Sequence, residues 1–221
     1  MPGLPPPSAV LFDWDTTLVD NWGAIAAAMN AALSAMGMAC WSVEETIAQA
    51  TLSARDRFPR LFGARAAEAQ RIFFATLERT HREHIRPLAG AVALLETLKS
   101  RDLFVGIVSN KSSRFLNAEI EHLGWGGYFN RIVGAGDALR DKPDAAPILH
   151  CLDGSGLRAE ASVWFVGDTP VDIEAARAAG TSAIFVRSNP NPPVWDMHRP
   201  DLEIDDLFAL QTLVIGEGDT I

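Results

Sequence analysis

Cysteine, excess basic charge and long apolar runs are all scarce in this 221-residue chain, and each scarcity narrows what it can be. The only cysteines are Cys40 and Cys151, more than a hundred positions apart. That spacing fits neither a disulfide framework nor a zinc cluster, so both are expected to be core thiols. Nineteen Lys and Arg against 28 Asp and Glu leave a net charge of −9. No basic field exists to attract nucleic-acid backbones or anionic membranes, so neither is expected as a partner and any phosphate must be bound locally. No segment approaches the ~18 apolar residues of a membrane helix. The opening Met1-Pro2-Gly3-Leu4-Pro5-Pro6-Pro7-Ser8 lacks the basic start of a signal peptide. A cytoplasmic, soluble protein is expected, with this Pro-rich lead a loose tail. There is no internal repeat, and between Asn21 and Arg86 there is no lysine.

What is present is a recurring apolar, β-branched pattern. Five short runs, Ala9 to Phe12, Leu103 to Val108, Arg131 to Ala135, Ser162 to Val166 and Ser182 to Val186, read as buried strands. Helix-like stretches separate them. Gly90 to Lys99 spaces Val92, Leu95 and Leu98 by three, and Ser112 is placed to cap a helix that runs to Leu123. Alternation of this kind predicts an α/β fold around a parallel sheet. One interval breaks it. From Asn21 to Arg86 only helical material is found: Trp22 to Met36 closing at Gly37, Val43 to Gln49, Ala54 to Phe62 and Ala64 to His84. That is too much for one crossover, so a small all-helical domain inserted after the first strand is predicted, able to exclude water and choose substrates. The predicted boundaries are 1–20 and 87–221 for the core and 21–86 for the insertion.

The chemistry-bearing residues fall where these strands end. Asp13 and Asp15 follow the first strand, and two carboxylates so close call for a hard divalent cation. Ser109, Asn110 and Lys111 follow the second, where a hydroxyl and backbone N–H groups before a helix make an anion cradle, or simply a turn. Lys142 precedes Pro143, which holds it out of helix and lets its ammonium project; alone, a Lys-Pro pair is a surface turn. Asp168 ends the fourth strand as Asp13 ends the first. Asp172, three residues after Thr169, is either half of a capping box, a carboxylate facing an ion, or both.

Taken in order, DWDTTLVD at 13–20, the strand ending at Ser109, KPDAAP at 142–147 and VGDTPVDIEAARAAG at 166–180 resemble the haloacid dehalogenase-like hydrolase superfamily. The similarity covers nearly the whole chain and is strongest to phosphatases of the phosphoglycolate phosphatase type. It implies a Rossmann-like sheet with a helical cap where the strand-free interval lies. It further implies that Asp13 attacks phosphorus to give an aspartyl phosphate, that Asp15 is the acid and base, and that Ser109, Asn110 and Lys142 hold the phosphoryl oxygens. Mg2+ would be bound by Asp13, the Asp15 carbonyl and Asp168, with Asp172 nearby. The expected partner is a small-molecule phosphate ester; monomer and homodimer are equally open.

Three departures from the family pattern stand out: Thr16 where glycine is frequent, Ala145 or Ala146 where a second proline often follows, and the cap segment Thr51 to Phe58, which does not begin with glycine. In that segment Arg55 or Arg57 is the candidate for a second anionic group on the substrate, though both equally suit a solvated helix face. On the same scaffold a phosphomutase needs a water-excluding cap and a phosphonatase a cap lysine, which this chain lacks. A non-catalytic receiver-like domain normally has neither the helical insertion nor the second acidic motif.

Overall fold

Every residue of β1 (Ala9–Phe12) is buried, as a strand is only when it has neighbours on both edges and helices over both faces. The computed structural model describes residues 4–49, 54–188, 195 and 199–216, the side chains of 54–56 excepted. It places β1 inside a six-stranded, wholly parallel sheet. One neighbour is β4 (Phe104–Ser112), with Ala9 opposite Phe104, and the other is β6 (Val163–Gly167), with Ala9 opposite Val163. With β5 (Arg131–Ala135), β7 (Ser182–Val186) and β8 (Leu202–Ile204), the order is β5-β4-β1-β6-β7-β8. The five predicted strands are all there. β8 was not predicted; three residues with Glu203 in the middle carry no periodicity to read.

The chain divides into two compact units, Met1–Val19 with Pro87–Ile221, and Asp20–Arg86. In the first, α7 (Ala146–Leu152) and α8 (Pro170–Ala179) pack on one sheet face around Leu11, Val133, Ile148, Phe165 and Phe185. α5 (Ala91–Ser100) and α9 (Leu207–Ile215) pack on each other, and α6 (Ser113–Leu123) lies against β4 and β5. Neither α7 nor α9 was predicted, although α9 shows its start: the Asp206 side chain accepts from the Ala209 N–H at 2.8 Å.

The second unit is helical: α1 (Trp22–Ala35), α2 (Val43–Gln49), α3 (Ala54–Phe62) and α4 (Ala66–His84), the last preceded by a 3-10 turn at Gly63–Arg65. Alanines 28 and 32 on α1 keep its buried face small enough for close packing with α4, and Met29, Leu33, Phe58, Phe62 and Phe73 fill the core. Phe58 and Phe73 meet edge to face at 5.4 Å. The segments β2 (Val19–Asp20) and β3 (Arg86–Pro87) pair separately.

Two expectations need correction. Cys151 is a core thiol, pushed up to about 12 by burial, but Cys40 is exposed, its sulfur 3.3 Å from the Ser34 hydroxyl. The Pro-rich lead is not loose from Leu4 onward. Pro5 carbonyl accepts from the Trp164 indole Nε1 at 3.1 Å, and the Ser8 N–H donates to Ser162 carbonyl at 2.8 Å, just ahead of the β1–β6 pairing. No helix among the described residues is long and apolar enough to cross a membrane.

Candidate active site

Parallel strands deliver their chemistry at their carboxyl ends, and here three adjacent strands end together. β1 runs into Asp13, whose N–H donates to Val166 carbonyl of β6 at 2.9 Å. β6 ends at Gly167 and presents Asp168. In β4 the pairing with β5 shifts register between Val108 and Ser112, which releases Ser109, Asn110 and Lys111 from the ladder at the same edge.

Asp13, Asp168 and Asp172 form a group of buried carboxylates, with ligand oxygens within 4.8 Å of one another. Lys142 is buried among them, its Nζ 2.6 Å from Asp13 Oδ1 and 2.6 Å from Asp172 Oδ1. Asp172 spends its other oxygen on α8: Oδ2 accepts the Thr169 N–H at 3.0 Å and the Thr169 hydroxyl at 2.6 Å. The capping reading of Asp172 is therefore correct, and the same side chain also anchors Lys142. Gly167 is what allows this, since a Cβ there would lie 2.3 Å from Asp172 Cβ. Asp168 accepts from the Thr16 hydroxyl at 2.6 Å and the Thr17 hydroxyl at 3.2 Å. Thr16 holds φ at +59°, a conformation costly for a β-branched residue. Its hydroxyl, bonded to Asp168 and to Asp15 carbonyl, offsets that cost and gives a reason for threonine at this place.

A second ammonium sits beside the first. Lys111 Nζ is 2.6 Å from Asp15 Oδ1 and 2.6 Å from Glu119 Oε2, and Glu119 is fully buried on α6. The site is thus two lysines, each shared between a carboxylate that follows β1 and a buried carboxylate from a helix.

Crowding of acids sets their protonation. Burial raises Asp168 to about 8, helped by the charges of Asp13 and Asp172 and opposed by the threonine hydroxyls. Burial likewise raises Asp13 to about 6, although Lys142 pulls it down. Burial also raises Asp15, against the pull of Lys111. For Lys142 the sign reverses: burial alone would lower it, but Asp13 and Asp172 hold it above its ordinary value and protonated.

A family model for haloacid dehalogenase-like hydrolases matches residues 10–186, from β1 through β7. The chain belongs to that family. Among relatives of this hydrolase, a phosphoglycolate phosphatase of Thiobacillus denitrificans is 30% identical across 90% of this chain and 89% of its own. One of Photorhabdus laumondii is 32% identical across 80% and 78%. A crystal structure of a HAD-superfamily hydrolase from Ehrlichia chaffeensis superposes with a TM-score of 0.68, at 27% identity over 96% of this chain and 98% of that one.

The fold of the hydrolase brings Asp13, Asp15, Ser109, Asn110, Lys142, Asp168 and Asp172 to one edge of its sheet. Ser109 is buried, its Oγ accepting the Lys111 N–H at 3.2 Å. Asn110 has a further use that its sequence position did not show. Its side-chain amide is spent on Lys142, donating to the carbonyl and accepting from the N–H, both at 2.9 Å. The amide thus fixes the base of Lys142, which takes one of its two Nδ2–H donors. Arg55 lies outside the described side chains, as do Pro190, Pro192 and Pro193. Arg57 is partly buried in the helical unit, with Nη1 3.4 Å from Gln49 carbonyl and Nε buried without a hydrogen-bond partner; burial lowers it from its usual value. Trp195 packs edge-on to Phe185 of β7 at 4.9 Å.

Lys111 was read only as backbone of the cradle after β4, and Glu119 was not singled out at all. Their signal was readable: Glu119 lies between Leu116 and Ile120 on the buried face of α6, and an acid inside an apolar stripe demands a buried partner.

Three buried carboxylates offering only oxygen suit a hard divalent cation, and the raised values of Asp13 and Asp168 record the charge such an ion would balance. The consequence for stability has a definite sign. A carboxyl raised above its unfolded value favours folding while it stays protonated, and that contribution is lost as pH rises through the folded value. The metal-free protein is therefore expected to lose thermal stability between about pH 4 and about pH 8, the window bounded by the ordinary carboxylate value and Asp168. A divalent cation should restore it, more strongly at the alkaline end, since ligands must be deprotonated to bind. Thermal unfolding in chelator and in excess magnesium across this range checks it. A melting temperature that rises with pH in chelator contradicts it.

Proposed function

We propose that this hydrolase is a Mg2+-dependent phosphatase that cleaves the monoester of a small soluble metabolite through an aspartyl phosphate on Asp13. Phosphoglycolate is the leading candidate substrate, supported by the names of its relatives. The observation that carries the reading is the Lys142 ammonium 2.6 Å from Asp13 Oδ1, beside two further buried acids at the mouth of the central strand.

Asp13 keeps one carboxylate oxygen on Lys142 and uses the other on phosphorus. As that O–P bond forms, the ester P–O bond breaks, and the proton of Asp15 passes to the departing alkoxide oxygen. Asp15, now a carboxylate, then takes a proton from the water that attacks phosphorus, and release of phosphate regenerates Asp13. Lys142 and the hydroxyl of Ser109, with the backbone N–H of Asn110, balance charge on the phosphoryl oxygens. Asp13, Asp168 and the Asp15 carbonyl would hold the magnesium, with Asp172 adjacent; the ion supplies charge neutralisation of the phosphoryl group. The inserted helical unit acts as the cap that selects the ester, with Arg55 and Arg57 as candidate contacts for a second anionic group.

Phosphate release over a panel of small phosphomonoesters, with magnesium and with chelator, tests this. Magnesium-dependent release from a few alkyl monoesters is expected. Release that persists in chelator, or none from any monoester by folded protein, overturns it.

A further inference from the structure

The Asp13–Asp15 turn is held from outside by a closed ring of contacts. Lys111 Nζ bridges Asp15 Oδ1 and Glu119 Oε2 at 2.6 Å each, and the same Glu119 oxygen accepts Trp14 Nε1 at 2.7 Å. Trp14 is the residue between the two aspartates. It is fully buried and packs edge-on against Trp125 at 5.8 Å and Phe129 at 6.3 Å. The ring therefore passes from Asp15 through Lys111, Glu119 and Trp14 back to Asp15 through one peptide bond. Exposure falls along it, with side chains 33% accessible at Asp15, 12% at Lys111 and 1% at Glu119. The buried end anchors the exposed one.

We propose that Lys111 and Glu119 are positioning residues that hold the Asp15 carboxyl where it meets the leaving-group oxygen; this rests on the reading of Asp15 as acid and base. A partly exposed aspartate left alone samples several rotamers, whereas proton transfer needs it within hydrogen-bond reach of one atom. Misplacement by about 1 Å costs on the order of 10²-fold in rate. Burying a glutamate on the apolar face of α6 is expensive unless it is paired, and Lys111 and Trp14, which pair with it, both lead to the Asp13–Asp15 turn. Lys111 also donates its backbone N–H to the Ser109 hydroxyl, so one residue fixes both the acid and the phosphate contact.

A purely structural ion pair would affect all substrates alike; a positioning one would not. An ester whose leaving group is a strongly acidic phenol departs without a proton, while an alkoxide does not. The test compares kcat/KM of the full-length, magnesium-saturated enzyme on p-nitrophenyl phosphate and on an alkyl monoester taken from the panel. The variants are Lys111→Met, Lys111→Arg, Glu119→Gln and Asp15→Asn, each checked for its melting temperature. Lys111→Met and Glu119→Gln are expected to lose about 10- to 100-fold on the alkyl ester and only a few-fold on the aryl ester. Lys111→Arg should recover part of the alkyl loss, and Asp15→Asn should show the same bias more strongly. Equal losses on both esters, or none, overturn the proposal. A bias in Asp15→Asn without one in the Lys111 and Glu119 variants overturns the positioning role alone. No bias in Asp15→Asn overturns the acid–base reading beneath it. Glu119→Gln keeps an acceptor for Trp14 and changes no volume, so it carries the test where Lys111→Met does not fold.

Discussion

Asp13→Asn is expected to lower kcat by roughly 10⁴-fold or more while leaving the protein folded, because an amide cannot attack phosphorus to form the acyl phosphate proposed for Asp13. The fold should tolerate the change. Asp13 sits among Asp168, Asp172 and Asp15, and its raised value shows that ionising it there is unfavourable despite Lys142. The neutral amide removes one of those repulsions and can still accept from Lys142, which retains Asp172. Steady-state phosphate release and a melting curve on the same preparation separate the two effects. Turnover within ten-fold of the parent would remove Asp13 from the nucleophile's role.

Lys142→Met is expected to damage stability and rate together. The change keeps the length of the side chain and removes a charge that two buried carboxylates share at 2.6 Å each. Breaking a buried ion pair from one side costs about 3–5 kcal/mol, and for a chain of this size each kcal/mol lowers the melting temperature by about 2–4 °C. A fall of roughly 10 °C in chelator is therefore expected. Excess magnesium should recover part of it by supplying positive charge to Asp13 and Asp172, but not the rate, since the ammonium proposed to balance the phosphoryl oxygens is gone. A melting temperature unchanged in chelator would contradict the assignment of Lys142 as the site's internal counter-ion. Asn110 grips the Lys142 backbone at both its N–H and its carbonyl, so Lys142→Met tests the charge and not the loop.

The sheet was legible because its central strands are buried on both faces and so read as continuous apolar runs. β8 and α9 were missed for different reasons. β8 is a three-residue edge strand; α9 is apolar on most sides, so its stripe is blurred, although Leu207, Leu210 and Val214 are its buried positions. The aspartates of the site were legible because each directly follows an apolar run or opens a helix. What sequence could not assign was the use of each polar group. Asn110 reads as a phosphate donor, and only the structure shows that its amide also holds the Lys142 backbone in the loop before α7. Lys111, only two residues from Ser109, is defined by Glu119 and Asp15, which lie on other elements. Cys40 shows the limit of composition: the rule that free cysteine is buried holds for Cys151, in the sheet core, and fails for Cys40, after α1 in the small helical unit.

The most direct test of the account is rapid acid quench of the magnesium-loaded enzyme during its first turnover, followed by mass analysis of the digested chain. A transient phosphoryl group on the peptide carrying Asp13, labile to hydroxylamine as an acyl phosphate is, is the predicted result. Phosphate release at the full rate while that peptide stays unmodified, or a phosphoryl group on any other residue, would contradict it.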